Sequence, residues 1–356
     1  MRHKTISYIT FITVSLLVLS ACSKDTVQSE YTGSMMDIQT FTGSYDSFST
    51  KAAVTGSSFA NENEYGLFFC KHHDASADGT NSFETYGSGL DNVRAYKASS
   101  GWQYYLKGRS TYLNGIYIIR NDDSNTMDCF AYAPYISSVT SPEEIPFVLA
   151  DQNDIMWAVE NSSPTSNKDI SVDGTTKTVR LHFNHALCLL TLNFTLLDNT
   201  AATSLITALS IKRSESADTP LYSKGTFNAI SGQFVPTSLV SLEKGQAQTF
   251  VYENDIQDRR SKKISPGKKL TLLILLLPSE LQADDDIELL FSIDSHKMPL
   301  TYKIRRSDVL HNDGTTYGFQ AGFNYTFNFV YDNYIRLTDV TIATDWTDGT
   351  VRDITI

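Results

Sequence analysis

The sequence predicts an all-β protein built of β-sandwiches, and three observations carry that reading. Short apolar segments recur at roughly 8–15-residue spacing, separated by Gly, Pro, Asn and Asp turns. No segment longer than about ten residues repeats its apolar positions at the helical period between caps. Aromatic residues make up 12% of the chain, with 19 Tyr and 19 Phe, types that suit a pleated, half-buried surface. The chain has 356 residues, room for two domains of about 150 residues each.

The first residues form an address. Arg2, His3 and Lys4 precede an apolar run at 6–19, which ends in Leu19-Ser20-Ala21-Cys22. The run is too short to span a bilayer comfortably, and small residues ahead of a Cys are what a lipoprotein signal peptidase requires. Residues 1–21 therefore read as a bacterial lipoprotein signal peptide. Cys22 becomes the acylated N-terminus, held in the outer membrane by chains that gain about 0.8 kcal/mol per buried methylene. Residues 22–48, rich in Ser, Thr, Gly and Asp, read as a tether with one short strand, Ile38-Gln39-Thr40-Phe41.

Residues 49–176 form the first folded unit. Tyr65-Gly66-Leu67-Phe68-Phe69-Cys70 is a near-continuous apolar strand. Short strands follow at 93–96, 102–106, 115–119 and 129–135, then a turn or one-turn helix at 141–146 and extended chain at 154–158. The polar stretch 160–178, with its Asp173-Gly174 turn, marks the internal boundary.

The second unit, 177–356, opens on an apolar run. Val179, Leu181, Phe183 and Leu187 share one face, and Leu190, Leu192, Phe194 and Leu196 share the other. The apolar face switches near Leu189 and Leu190, as at a bulge or in a strand crossing between two sheets. Further strands are expected at 209–213, 225–227, 233–235, 248–252, 270–277 and 287–293. The run at 270–277 ends at Pro278 and reads as a buried strand, too short to span a membrane. Phe323, Tyr325, Phe327, Phe329 and Tyr331 alternate with Asn324, Thr326 and Asn328, the clearest one-sided strand in the chain. Val340, Ile342, Thr344 and Trp346 repeat the pattern.

Charge narrows the partners. The net charge is −11, from 40 acidic and 29 basic residues, which repels nucleic acid and anionic lipid. The cations at 258–263 and Lys268-Lys269 flank Pro266-Gly267 and read as a solvated hairpin tip.

Candidate ligand groups fail on spacing. His72-His73-Asp74 lacks a third ligand, and adjacent strand residues face opposite ways. His182 and His185 also point to opposite faces, so one of them reads as a packed histidine bonded to backbone. The stretch 121–125 and Asp284-Asp285-Asp286 resemble calcium loops, but Thr126 stands where such a loop needs Gly, and both read as turns. There is no Gly-x-Ser-x-Gly elbow, Walker loop or His-Glu-x-x-His. No pair of carboxylates stands out as a glycosidase pair. No enzymatic activity, cofactor or metal is therefore expected. Beyond Cys22, the three cysteines Cys70, Cys129 and Cys188 read as buried free thiols, with a Cys70–Cys129 bridge as the alternative in an oxidising compartment.

Seven stretches, in order, resemble the fimbrillin-like family of pilus subunits and accessory lipoproteins. They are the start of the folded region from Lys51-Ala52 to Phe68, Phe130-Ala131-Tyr132-Ala133-Pro134-Tyr135, Asp154-Ile155-Met156-Trp157-Ala158, Phe183-Asn184-His185-Ala186-Leu187, Phe227 with Ser231-Gly232-Gln233-Phe234, Ala321-Gly322-Phe323-Asn324-Tyr325-Thr326-Phe327, and the closing stretch from Ile342 to Trp346-Thr347-Asp348-Gly349. The resemblance implies two tandem transthyretin-like β-sandwiches. It also implies assembly by strand addition: a protease removes the N-terminal strand, and a donor strand from the next subunit fills the groove through backbone hydrogen bonds and alternating side chains. Such head-to-tail contacts build filaments.

The sequence departs from the resemblance at one position. Where the family commonly has Arg, Lys51 stands ahead of Ala52, and the first Arg after Cys22 is Arg94. Either a Lys-accepting protease cuts after Lys51, or the strand stays and the chain serves as an anchor. The expected function is a pilus subunit or pilus anchor at the cell surface, with other pilus subunits as partners and a role in adhesion to a host protein or glycan. Val351, Ile354 and Ile356 are the candidate donor-strand residues. The alternative is a non-polymerising lipoprotein that binds glycans, for which Trp102, Tyr104 and Tyr105 are the candidate platform.

Overall fold

A computed structural model of the chain describes residues 34–42, 63–71, 84–118, 126–159, 167–171, 177–196, 204–251, 263–265, 267–311, 313–332 and 334–343. Among these the regular elements are strands and a few 3-10 turns. None of the described residues forms a helix long and apolar enough to cross a membrane.

The first ten strands are β1 (Ser34–Thr42), β2 (Glu64–Lys71), β3 (Val93–Ala98), β4 (Gly101–Tyr105), β5 (Ile116–Ile118), β6 (Thr126–Ala133), β7 (Ile145–Val148), β8 (Met156–Val159), β9 (Asn167–Ser171) and β10 (Lys177–His185). All but β7 form one sheet in the order β4-β3-β2-β6-β8-β10-β1-β5, with β9 also on β6. The sheet curls until its ends approach. Tyr104 in β4 exchanges two backbone hydrogen bonds with Leu113, at 2.8 and 2.9 Å, three residues ahead of β5. Strand pairing of this kind reduces the open edges that would otherwise invite association.

At β2 and β6 both faces of this sheet are buried, as the near-continuous apolar run of β2 requires. Tyr65, Leu67 and Phe69 point into an inner cluster with Val93, Ile116 and Val179. Phe68 and Cys70 point the other way, into a larger cluster that runs through the second half of the chain. The period of two assigns alternate residues of one strand to two cores.

The remaining strands are β11 (Cys188–Leu196), β12 (Ser204–Arg213), β13 (Tyr222–Asn228), β14 (Gln233–Phe234), β15 (Val240–Ser241), β16 (Ala247–Val251) and β17 (Lys263–Ile264). After them come β18 (Leu270–Leu276), β19 (Ser279–Glu280), β20 (Ile287–Ile293), β21 (Leu300–Ile304), β22 (Gly318–Phe319), β23 (Asn324–Tyr331) and β24 (Ile335–Ala343). The sheets β18-β11-β23-β24 and β16-β12-β20-β21 face each other as a sandwich. Phe194 of β11 meets Phe291 of β20 edge-on at 5.1 Å and stacks on Phe329 of β23 at 5.3 Å. Tyr302 of β21 closes on Phe329 at 5.2 Å. The outer face of the first of these sheets is polar. Thr271 donates to Asn193, Asn193 to Asn328 and Asn328 to Asp339, at 2.7–2.8 Å, one residue from each of four strands. The alternation in β23 is thus the boundary between an aromatic core and a hydrogen-bonded ladder.

The apolar run that opens the second half is two strands. β10 belongs to the first sheet and β11 to the sandwich, so the chain crosses between sheets as the face switch requires. The crossing falls at Ala186 and Leu187, a few residues before the expected Leu189–Leu190, and both crossing residues are buried. Each half of the crossing has a parallel partner from far away in sequence: β1 for β10 and β23 for β11.

Three contacts lock the seam between the halves. β7 pairs with β13, Phe147 opposite Gly225. The amide of Gln152 bonds both backbone groups of Leu275 in β18, at 2.8 and 3.2 Å, and so takes the place of a neighbouring strand. Gly232, in the β13–β14 turn at φ +72°, lies against the indole of Trp157 so closely that a Cβ there would come within 2.1 Å of it. Only glycine meets both the backbone sign and the space.

Candidate functional site

The feature with functional potential is the place held by β1. This strand is internal to the sheet. Met36–Thr42 runs parallel to Lys177–Phe183 of β10, and Ser34–Met36 runs antiparallel to Ile116–Ile118 of β5. Met36 is 2% exposed and sits in the inner cluster, with Ile38 packed against the same cluster. They face the core for the same reason as their register partners. In a parallel pair, residues side by side share a face, and Ile38 lies beside Val179 and Thr40 beside Leu181, both core residues of β10.

Without β1 the slot is an apolar trench. Its walls are Val179, Leu181 and Phe183 on one side and Ile116 and Ile118 on the other. Phe183 is fixed from below by Tyr65, edge-on at 5.4 Å, and Tyr65 in turn by Trp102 at 4.8 Å. Burying a Met or Ile side chain fully contributes about 1.5–3 kcal/mol, and each backbone hydrogen bond a net of about 1 kcal/mol. An empty slot would lose all of these, so it favours any extended strand with apolar residues at alternate positions.

The far end of the β10 wall is anchored at His185. Its Nδ1 lies 2.9 and 3.1 Å from the two carboxylate oxygens of Asp154. An ionised carboxylate only accepts, so the ring nitrogen donates. Ala186, the next residue, donates its N–H to the Ile155 carbonyl at 2.8 Å. The pair therefore holds the crossing point beside the start of β8. A carboxylate is thus a partner of the packed histidine at 185, because residue 154 turns into β8 directly opposite the end of β10.

The residues assigned roles from sequence fall into two groups. Cys22, Lys51, Ala52, Val351, Ile354 and Ile356 lie outside the described residues, as do His72-His73-Asp74 and the stretch 121–125. The described ones resolve as structural. Asp286 accepts the Thr219 hydroxyl and the N–H groups of Thr219, Ala283 and Asp218, and Asp284 accepts the N–H of Arg306 at 2.7 Å. These carboxylates clamp loops. Among the described residues no group of three or more His, Cys, Asp or Glu is placed to hold a metal. Lys268 donates its N–H to the Ser265 carbonyl at 3.1 Å, whereas Pro266 and the cations at 258–262 lie outside the described residues.

The three described cysteines, Cys70, Cys129 and Cys188, are free and buried. Cys70 and Cys129 sit on neighbouring strands but point into different cores. Burial pushes all three thiols up, which makes them inert. The suggested platform of Trp102, Tyr104 and Tyr105 does not exist as one surface. Tyr104 is in the inner core and Trp102 packs on it, whereas Tyr105 is on the opposite face.

Fold and slot together define a class: all-β proteins in which a sheet is completed by a strand joined to it through a separate N-terminal stretch. The chain belongs to the fimbrillin-like family, whose model matches residues 50–346. No curated protein matches the sequence. Among solved structures, a candidate cell adhesion protein from Bacteroides ovatus is 14% identical and has a TM-score of 0.53, with 89% of this chain and 99% of that one covered. Another from Bacteroides uniformis is also 14% identical, with a TM-score of 0.50 and coverage of 81% and 93%. A fimbrial protein from Bacteroides vulgatus is 16% identical, with a TM-score of 0.47 and coverage of 88% and 99%. At these identities the likeness to the first two is one of fold.

Proposed function

We propose that the protein is a pilus subunit or pilus anchor at the cell surface, with a structural role in adhesion and no catalytic one. In this reading it is exported by the signal peptide 1–21, carried to the outer membrane by lipid on Cys22, and joined to other pilus subunits by strand addition once a cut after Lys51 releases it; left uncut, it stays as an anchor.

One observation carries the reading. β1 lies inside the sheet, yet it is joined to the following chain only through residues 43–62, which contain Lys51. A single cut after Lys51 would free β1 and leave a slot lined by β10 and β5. The family match begins at residue 50, so the unit that would remain is the one the family shares. A donor must offer apolar residues two apart, as Met36 and Ile38 do. Ile354 and Ile356 have that spacing and are the proposed donor residues, with Val351 on the opposite face of the same strand.

The test is assembly in vitro. Protein cut after Lys51 should form head-to-tail oligomers, the uncut chain should stay monomeric, and a cut chain lacking residues 351–356 should not assemble. Oligomers that persist without residues 351–356 would remove the donor assignment. Oligomers of the uncut chain would remove the requirement for cleavage.

A further inference from the structure

The outer face of β3 and β4 carries a second feature, which owes nothing to strand addition. Arg94 and Tyr105 are cross-strand partners, as are Tyr96 and Gln103. The Arg94 guanidinium lies 5.2 Å from the Tyr105 ring centre and 5.6 Å from that of Tyr96. Tyr112 leans on Tyr105 at 5.9 Å and is 48% exposed. Tyr135 is near enough for Arg94 to oppose the rise that burial causes in its phenol. Two rings thus lie against one guanidinium, with Tyr112 extending the aromatic surface past Tyr105.

These rings do not serve a core. None of the four tyrosines belongs to, or packs against, either apolar cluster, in contrast to Trp102 and Tyr104 on the other face of the same strand. Near β6, the face that carries them is buried under the second half by Phe68 and Tyr132. It is open at β3 and β4, beside the loop that bears Tyr135, and again at β10, where Thr178, Arg180 and Asn184 are exposed. A half-exposed aromatic surface with polar groups at its edge is the ordinary make-up of a ligand site.

The charges fix the class of ligand. Arg94 is paired with Glu64 and Lys107 with Asp91, so the patch has no unbalanced charge to hold a phosphate, sulfate or carboxylate. Its remaining hydrogen-bonding groups are neutral: the Gln103 amide, which accepts from the Tyr105 hydroxyl at 3.1 Å, and the phenols. Flat rings pack against the C–H face of a pyranose, while amide and phenol groups bond its hydroxyls. We propose that this face binds a neutral oligosaccharide, with Tyr105 and Tyr112 as the stacking platform and Gln103 as the polar contact.

The test is titration of the folded protein with a panel of neutral and sialylated oligosaccharides, read by saturation-transfer NMR and calorimetry. Saturable binding of a neutral member is expected. Tyr112→Ala should weaken it about tenfold or more, as loss of an aromatic anchor does. Gln103→Ala should weaken it severalfold. Tyr334→Ala, an exposed tyrosine elsewhere, should leave it unchanged, and the melting temperatures of all variants should agree. No saturable binding at millimolar sugar would overturn the proposal. So would binding confined to sialylated members, binding that survives Tyr112→Ala, or an equal loss in Tyr334→Ala.

Discussion

β10 and β11 are the two halves of one crossing segment, and each lies beside a parallel strand brought from far along the chain. The likeness ends at the other edge of those partners. β23 is paired along its whole length with β24, Asn324–Tyr331 against Ala343–Ile335, and its aromatic face is the centre of the sandwich. β1 is paired on its far side only over Ser34–Met36, and among its described side chains Met36 and Ile38 join the inner cluster. One sheet is completed by a hairpin partner, β24, and the other by β1, which lies more than a hundred residues before β10 in the sequence. Stability in the second region is therefore distributed, whereas part of that in the first rests on the single strand β1.

The largest effect should come from the sandwich and should not depend on β1. Phe329→Ala empties the centre of the stack with Phe194 and Phe291, and should cost about 3–5 kcal/mol in urea denaturation, both in the intact chain and in chain cut after Lys51. Met36→Ala sharpens the contrast. It should cost about 2–5 kcal/mol in the intact chain and nothing once β1 has been cut away and removed. Equal costs in both forms would break the comparison. Gly232→Ala acts at the seam, where a Cβ would meet Trp157. It should cost about 1–3 kcal/mol and shift the tryptophan emission.

The smallest effect is a pH dependence confined to the second region. Burial alone would raise the Asp286 carboxyl, but the Thr219 hydroxyl and the N–H groups of Thr219, Ala283 and Asp218 outweigh it and hold the group below the ordinary carboxylate range. A depressed folded-state value stabilises the fold above the unfolded value of about 3.9, and this contribution is lost as pH falls through the lower, folded one. Asp286→Asn should remove that acid sensitivity. It should lower the wild-type stability at neutral pH by about 1 kcal/mol, read from urea midpoints across acid pH.

Much of this was legible in the sequence wherever one face of a strand is apolar. β20 runs over Ile287–Ile293, as its alternation predicted, and β23 divides core from surface as its Phe/Asn pattern required. The face switch around residue 189 revealed a crossing between sheets, displaced by a few residues because Ala186 and Leu187 are buried in the turn itself. What was not legible lacked side-chain pattern. β9 falls in the polar stretch read as a boundary, since it joins β6 through backbone bonds. β7 contains Pro146 and so read as a turn, a residue tolerated because β13 is its only strand partner among the described residues. The parallel pairing of β1 with β10 joins segments more than a hundred residues apart, and no local signal encodes such a register. The carboxylate partner of His185 was hidden for the same reason. The separate faces of Tyr104 and Tyr105, by contrast, follow directly from adjacency in a strand.

The central claim is that β1 is a removable strand, and the most direct measurement is the N-terminal mass and lipid state of the protein isolated from the native cell surface. The account predicts an unacylated chain beginning at Ala52. Material that carries acylated Cys22 throughout would contradict it, and would leave β1 as a permanent part of a stationary anchor.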